Sequence, residues 1–315
     1  MSIAAVPAYL GQDFKQASTG LRFGMYLKLW GVNECTHQAL WSTHDIVYRV
    51  RGRDQEEREL REENKVSAIN AACALSQSEK AAMAAISARQ KSLAAALPHC
   101  FTLPARSTAP FVTGMGNEHP LENGFSFLWP YGLPYLPGSG VKGVLRQAAR
   151  ELISGDWGDS EWTDKTVSEI TIDKKTVPLT ALDLLFGLET EDRQTEHFRG
   201  VLSFWDVIPD IKGDRLMVEI MTPHQTHYYR DGRQPHDSGL PTPIPFLTVP
   251  PGSGFTFHVQ CDHARLARLA PELTKDEHWK KLLKSAFDHA FDWLGFGAKT
   301  SVGYGAMRPD GSGSA

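Results

Sequence analysis

No C-x-x-C pair occurs in the sequence, and its four cysteines, Cys35, Cys73, Cys100 and Cys261, lie far apart. That excludes a zinc knuckle and a disulfide framework, leaving scattered, reduced thiols. No apolar run approaches the ~18–20 residues that a membrane span needs. The opening MSIAAVPAYLGQDFKQ has no basic-then-apolar layout of a secretory signal. The expected location is the cytoplasm, with no membrane partner. A basic excess is also missing, since the formal net charge is −4. Free-standing nucleic-acid binders usually carry that excess, because phosphate neutralisation supplies much of their affinity. Any nucleic-acid contact must therefore come from a local groove, from backbone amides, or from neighbours in an assembly. No nucleophile with its base is visible either, which speaks against a free small-molecule enzyme.

What is present is a globular composition, with 41% hydrophobic and 22% charged residues over 315 positions. That length allows two ordinary domains or one domain with long insertions. Residues 21–30, LRFGMYLKLW, read as a strand, and residues 1–53 as an N-terminal strand and connection belonging to the core. Residues 54–97 change character. They open acidic, become Ala-rich, and hold no Gly or Pro, and their apolar residues recur at three- and four-residue steps. This predicts an inserted helical hairpin or one long helix, with a break at Ser76–Gln77–Ser78 and Ser78 as N-cap.

From 98 to 307 short strands alternate with Gly/Pro turns. Strands are expected at 100–103, 110–113, 124–129, 200–207, 215–221, 254–261 and 303–307. Amphipathic helices are expected at 139–153, with Ser139 as cap, and at 276–293. Residues 154–198 read as an insertion with a short strand near 170–172, and 308–315 as a disordered tail. Strand, helix, strands, helix, strand is the order of a ferredoxin-like α+β unit.

Two glycine-rich segments carry the candidate chemistry. In PYLPGSGVKGVLR, 134–146, Pro137 and Gly138 turn the chain, and Ser139 or Gly140 opens a helix. Its free amides, with Lys142 and Arg146 nearby, suit an anion. In GFGAKTSVGYG, 295–305, Gly295, Gly297 and Gly303 let backbone approach a polyanion. Lys299, Thr300, Ser301 and Tyr304 there can meet phosphate, sugar and base. The plainer readings are a loop-to-helix junction and a flexible hairpin closing the sheet.

These motifs resemble those of the RAMP superfamily: PGS-x-x-KG-x-x-R at 137–146 and the C-terminal glycine-rich loop at 295–307. GNEHPLENGFSFLWPYG (116–132), FWD (204–206) and MTPHQTHYY (221–229) are similar to the sixth-subunit pattern of type III-B CRISPR (Cmr) complexes. The matches run from about residue 100 to 307. The resemblance implies a ferredoxin-like (RRM-like) core with a helical insertion and a protruding β-hairpin. It implies a non-catalytic subunit that binds the 3′ part of a guide RNA and its target-RNA duplex. The implied protein partners are the RAMP backbone subunits it caps, the small helical subunit and the end-capping RAMP subunit. On this reading the two glycine-rich segments lie side by side and share one groove.

Two chemical alternatives stand beside that reading. RAMP relatives that process guide RNA use a histidine as general acid–base, and His119 precedes the first motif. Flanked by Glu118 and Pro120, it also reads as a hydrogen-bonded loop residue. The target-cleaving relatives carry an Asp before the PGS motif, where this chain has Glu118, Glu122 and Asn123. His224, His227, Asp231, His236 and Asp237 could ligate a metal, but their spacing matches no established site. With Tyr228, Tyr229 and Arg230 among them, RNA contact by His224 and Tyr228 is the preferred reading. No metal and no cofactor is expected.

Overall fold

The strand that the sequence marks most clearly, Gly254–Cys261, forms over those residues, with buried and exposed positions largely alternating. The computed structural model describes residues 3–32, 39–41, 46–51, 57–62, 64–158, 160–172, 175–188, 197–222, 232, 234 and 243–310. Helix and sheet are mixed, as an α+β chain requires. The chain divides into two units, each built from three segments. One comprises 1–82, 112–134 and 213–250; the other comprises 83–111, 135–212 and 251–315. The sequence instead suggested a core interrupted at 54–97. A unit assembled from distant segments leaves no compositional boundary to read.

The second unit carries a four-stranded sheet. Its elements in chain order are β1 (Cys100–Ser107), α1 (Gly138–Ser154), β2 (Leu202–Phe204), β3 (Gly254–Cys261), α2 (His278–His289) and β4 (Met307–Pro309). The strands lie in the order β2-β3-β1-β4, every neighbouring pair antiparallel. Val141, Leu145, Ala148 and Ala149 form the buried stripe of α1. Trp279, Leu282, Leu283, Ala286 and Phe287 do the same for α2. Phe257 of β3 meets Phe287 at 5.1 Å and Phe296 at 4.9 Å between ring centroids. Each such ring buried from water contributes about 1.5–3 kcal/mol, so this cluster is a main anchor of helix to sheet.

Between α1 and β2 the expected loop is more ordered than its polarity suggests. Thr166–Ile172 and Lys175–Thr180 pair antiparallel. Helix Ala181–Phe186 follows, opened by a capping box between Thr180 and Asp183. Gly187–Leu188 then pairs with Phe198–Arg199 and returns the chain to β2.

In the first unit the expectation for 21–30 fails. Thr19–Phe23 is a short helix capped by Ser18, and the strand is Trp30–Val32. The apolar run satisfied a strand pattern, but the Ser18 cap and the buried Arg22 select a helical turn. The acidic stretch also differs, because Glu57–Glu62 pairs as a strand with Ile46–Arg51. Helices follow at Asn64–Cys73 and Gln77–Ala96. The break falls where expected, but Ser76 and not Ser78 caps the second helix. The Glu79 amide donates to Ser76 Oγ (3.2 Å), and the Ser76 amide donates back to Glu79 Oε2 (2.8 Å). Among the described residues, no helix is long and apolar enough to cross a membrane. Cys73, Cys100 and Cys261 are free thiols. Burial pushes Cys73 up to about 11 and Cys261 up to about 12, so both stay protonated and unreactive.

Candidate nucleic-acid interface

The start of α1 is fixed by close contact with the backbone of β2. A Cβ on Gly138 would lie 2.3 Å from the Phe204 carbonyl oxygen, so only glycine fits. The helix opens at Gly138 with Pro137 as cap residue, not at Ser139, and no side chain from the cap position bonds it. The Gly138 amide instead donates to Asp206 Oδ1 at 2.7 Å. This revises the expectation of free amides, because the Asp of the FWD motif already occupies the first one. Gln90 Nε2 holds the Asp206 backbone oxygen at 2.7 Å and fixes the cap in place.

Along the flank of this helix start runs an open groove of about 560 Å³. Gly138, Ser139, Lys142 and Arg146 form one wall, and 186–188 with 197–200 form the other. Leu202, Ser203 and Phe204 of β2 complete its lining. Lys142, Arg146 and Arg199 face this space with His197, and no carboxylate lines it among the described residues. An acidic chain thus gathers three cations around one trough. Arg146 Nε is buried without a hydrogen-bond partner among the described residues. A buried guanidinium N–H left open is a donor without an acceptor oxygen, which costs free energy.

Arg199 and His197 were not foreseen. They come from the insertion and reach the groove only because Phe198–Arg199 pairs with Gly187–Leu188. The basic residue beside the FWD motif was a signal in hindsight, but its pairing partner was not readable.

The second glycine-rich segment lies elsewhere. It turns through a short 3-10 helix, Thr300–Val302, with Gly295, Gly297, Lys299, Gly303 and Gly305 all at positive φ. Ser301 and Gly303 are exposed, and Thr300 and Tyr304 are half-buried. The Gly305 amide donates to the Pro110 carbonyl (2.8 Å), and a Cβ there would meet the Phe296 carbonyl oxygen. The loop therefore sits beyond the C-terminal end of β1. Phe204, against which Gly138 packs, aligns through Val259 with Phe101 near the start of β1. Met307 aligns with Ser107 at its end. Register separates the two segments by six strand residues, roughly 20 Å at ~3.4 Å per residue, and by three strand spacings. No residue of 295–305 lines the groove. The shared groove expected from sequence is not formed.

His119 is engaged at both ring nitrogens. Nε2 lies 2.9 Å from the Phe23 carbonyl oxygen, and Nδ1 accepts from the Leu121 amide at 3.1 Å. The ring also stacks on Phe23 at 3.9 Å. Burial pushes its pKa below the ordinary 6.5, against the opposing pull of the Phe23 carbonyl. His258, bonded to Thr102 Oγ1, is lowered by burial as well. Between the native and unfolded pKa values the unfolded chain binds protons that the native chain refuses. Stability from these histidines is full above pH 6.5 and is lost as pH falls through that value. Melting temperature should therefore be lower at pH 5.5 than at 7.5, with a smaller drop in His119→Gln. A pH-independent melting temperature would contradict it.

His224, His227, Tyr228, Asp231, His236 and Asp237 lie outside the described residues. Among the described residues no group of three or more His, Cys, Asp or Glu side chains is arranged to hold a metal.

Residues 105–308 match the family model of the RAMP superfamily. The chain is similar to CRISPR system Cmr subunit Cmr6 of Pyrococcus furiosus, 28% identical over 250 residues, 66% of this chain and 68% of that one. Among solved structures it resembles a chain of the type III-B Cmr-beta bound to cognate target RNA. That likeness has a TM-score of 0.51 at 18% identity and covers 78% of this chain and 71% of the other, which speaks to the fold.

Proposed function

Because the chain belongs to the RAMP superfamily, we propose that it is the sixth-subunit RAMP of a type III-B (Cmr) CRISPR complex. In this reading it holds the 3′ part of a guide RNA and its target duplex without cutting either. The sheet with α1 and α2 is its ferredoxin-like core. Its partners are the backbone RAMP subunits, the small helical subunit and the end-capping RAMP subunit. The similarity to Cmr6 supports the assignment, and the observation that carries RNA binding is the groove along the start of α1. There Lys142, Arg146 and Arg199 stand together without a carboxylate among the described residues.

The chemistry is electrostatic. Phosphate oxygens accept from the three side chains that line the groove. Asp206 ties up the first helix amide, so side-chain cations outweigh main-chain dipoles as the source of affinity. Bases contribute little to such a contact, and binding should tolerate sequence. The loop at 295–305 offers a second, separate contact for the same strand.

The test is binding of guide-length RNA to the full chain across a salt series. Lys142→Ala with Arg199→Ala should weaken binding and flatten the slope of log affinity against log salt by about 0.7 per cation removed. An unchanged slope would remove the groove from the RNA path. Non-catalysis is tested in parallel. With both His119 nitrogens held by backbone, the purified chain should leave RNA intact. Cuts that vanish in His119→Ala would replace this reading with an endoribonuclease.

A further inference from the structure

The first unit contains a cavity that the groove does not account for. Phe14, Lys15, Arg22, Tyr26 and Lys28 enclose about 190 Å³ against the alanine face of helix Asn64–Cys73 around Ala71. Phe14 and Tyr26 stack on each other, with centroids 4.2 Å apart and planes within 8°, which makes a stiff two-ring wall. Lys28 Nζ stands 6.0 Å from the Phe14 centroid. The Arg22 guanidinium is held in place by the carbonyls of Ala17 and Ala71 and by its ion pair with Glu79. Lys15 is exposed at the rim. The facing wall is alanine, and among the described residues no side chain from that wall fills the space. No carboxylate lines the cavity among the described residues.

Size, shape and charge together select the occupant. An apolar cavity of about 150 Å³ accepts one benzene ring, so this one takes a single six-membered ring with its substituents and leaves little room for a fused pair. A flat aromatic wall favours a flat ligand, and Lys15 with Lys28 favours one that carries an anion. We infer that the first unit holds a pocket for one pyrimidine nucleotide of an RNA strand. Its base lies against the Phe14–Tyr26 wall and its phosphate lies between Lys15 and Lys28. The inference rests on the RNA-binding reading above and adds base selection, which the groove lacks.

The experiment compares oligouridylate and oligoadenylate of equal length by fluorescence anisotropy on the full chain at one salt concentration. Oligouridylate should bind about tenfold tighter, a difference of ~1.4 kcal/mol. Ala71→Leu fills the cavity from an exposed helical position and keeps a strong helix former. It should abolish the preference while leaving affinity for oligoadenylate unchanged. Lys142→Ala with Arg199→Ala should instead weaken both RNAs equally, so failure of the groove and failure of the pocket give different results. 4-Thiouridine crosslinks should map to Phe14 or Tyr26. Equal affinity for the two RNAs in the unaltered chain would overturn the pocket, as would a preference that survives Ala71→Leu. It is overturned too if Ala71→Leu keeps the preference but releases a co-purifying protein, for then the cavity anchors a protein side chain.

Discussion

Alanine at Gly138 is expected to destabilise the second unit by about 3 kcal/mol, the upper range for forced overpacking. The added Cβ would meet the Phe204 carbonyl oxygen at 2.3 Å and two further backbone carbons at 2.9 Å. None of these is the end of a flexible side chain, so α1 and β2 must separate. Separation breaks the Gly138–Asp206 bond and the isolated pairing of Leu136 with Val207, both of which set the groove. RNA affinity should fall by about tenfold, ~1.4 kcal/mol. Gly143 supplies the contrast. It lies in the same helix, and a Cβ there meets nothing within 4 Å. Gly143→Ala should therefore stabilise by about 0.5–1 kcal/mol through helix propensity alone. Urea unfolding of both variants separates contact from propensity. Equal midpoints would mean that the helix start can shift freely and that Gly138 does not position the groove.

Glu79→Ala should be the most damaging single change in the first unit, at about 3–5 kcal/mol. The Glu79 carboxylate is almost fully buried and accepts from the Thr19 amide (2.5 Å), the Ser76 amide (2.8 Å) and Ser76 Oγ (2.9 Å). It is also the anion paired with buried Arg22, 3.4 Å from Nη2. Removing it orphans two backbone donors and leaves the guanidinium charge with only neutral acceptors, among them the Ala17, Ala71 and Ala74 carbonyls. Glu79→Gln keeps the volume and a carbonyl acceptor for the capping bonds, so it should cost clearly less. Chemical denaturation that finds the two variants alike would show that the charge itself contributes nothing. Because Arg22 also walls the Phe14–Tyr26 cavity, Glu79→Ala should reduce discrimination between oligouridylate and oligoadenylate as well.

Much of the second unit was readable from residue pattern. β3 reads directly from GFTFHVQC, and α1 and α2 from apolar residues at three- and four-residue steps, because those periods are local properties of the chain. The groove was half legible: Gly138, Ser139, Lys142 and Arg146 announce themselves as a turn followed by a cationic helix face. Arg199 does not, since its place depends on a two-residue pairing across the insertion. Asp206 was visible as part of FWD, but nothing local says that its carboxylate caps a helix 68 residues earlier. Residues 21–23 and 57–62 misled for a related reason. Their local preference is weak, and the Ser18 cap in one case and the partner strand Ile46–Arg51 in the other decide their state.

By itself, then, the sequence determined the family motifs, the mixed helix-and-strand character, the two amphipathic helices and the cations on the first turns of α1. Local periodicity and turn chemistry are enough for each of these. Tertiary structure alone decided that Arg199 joins those cations, that Asp206 takes the first amide, and that strand register holds the two glycine-rich segments apart. Such outcomes depend on pairing and close packing between residues distant in the chain, where a shift of one strand position would exchange buried for exposed faces. The Phe14–Tyr26 cavity belongs with them, because it exists only where a stacked aromatic pair happens to face a helix of alanines.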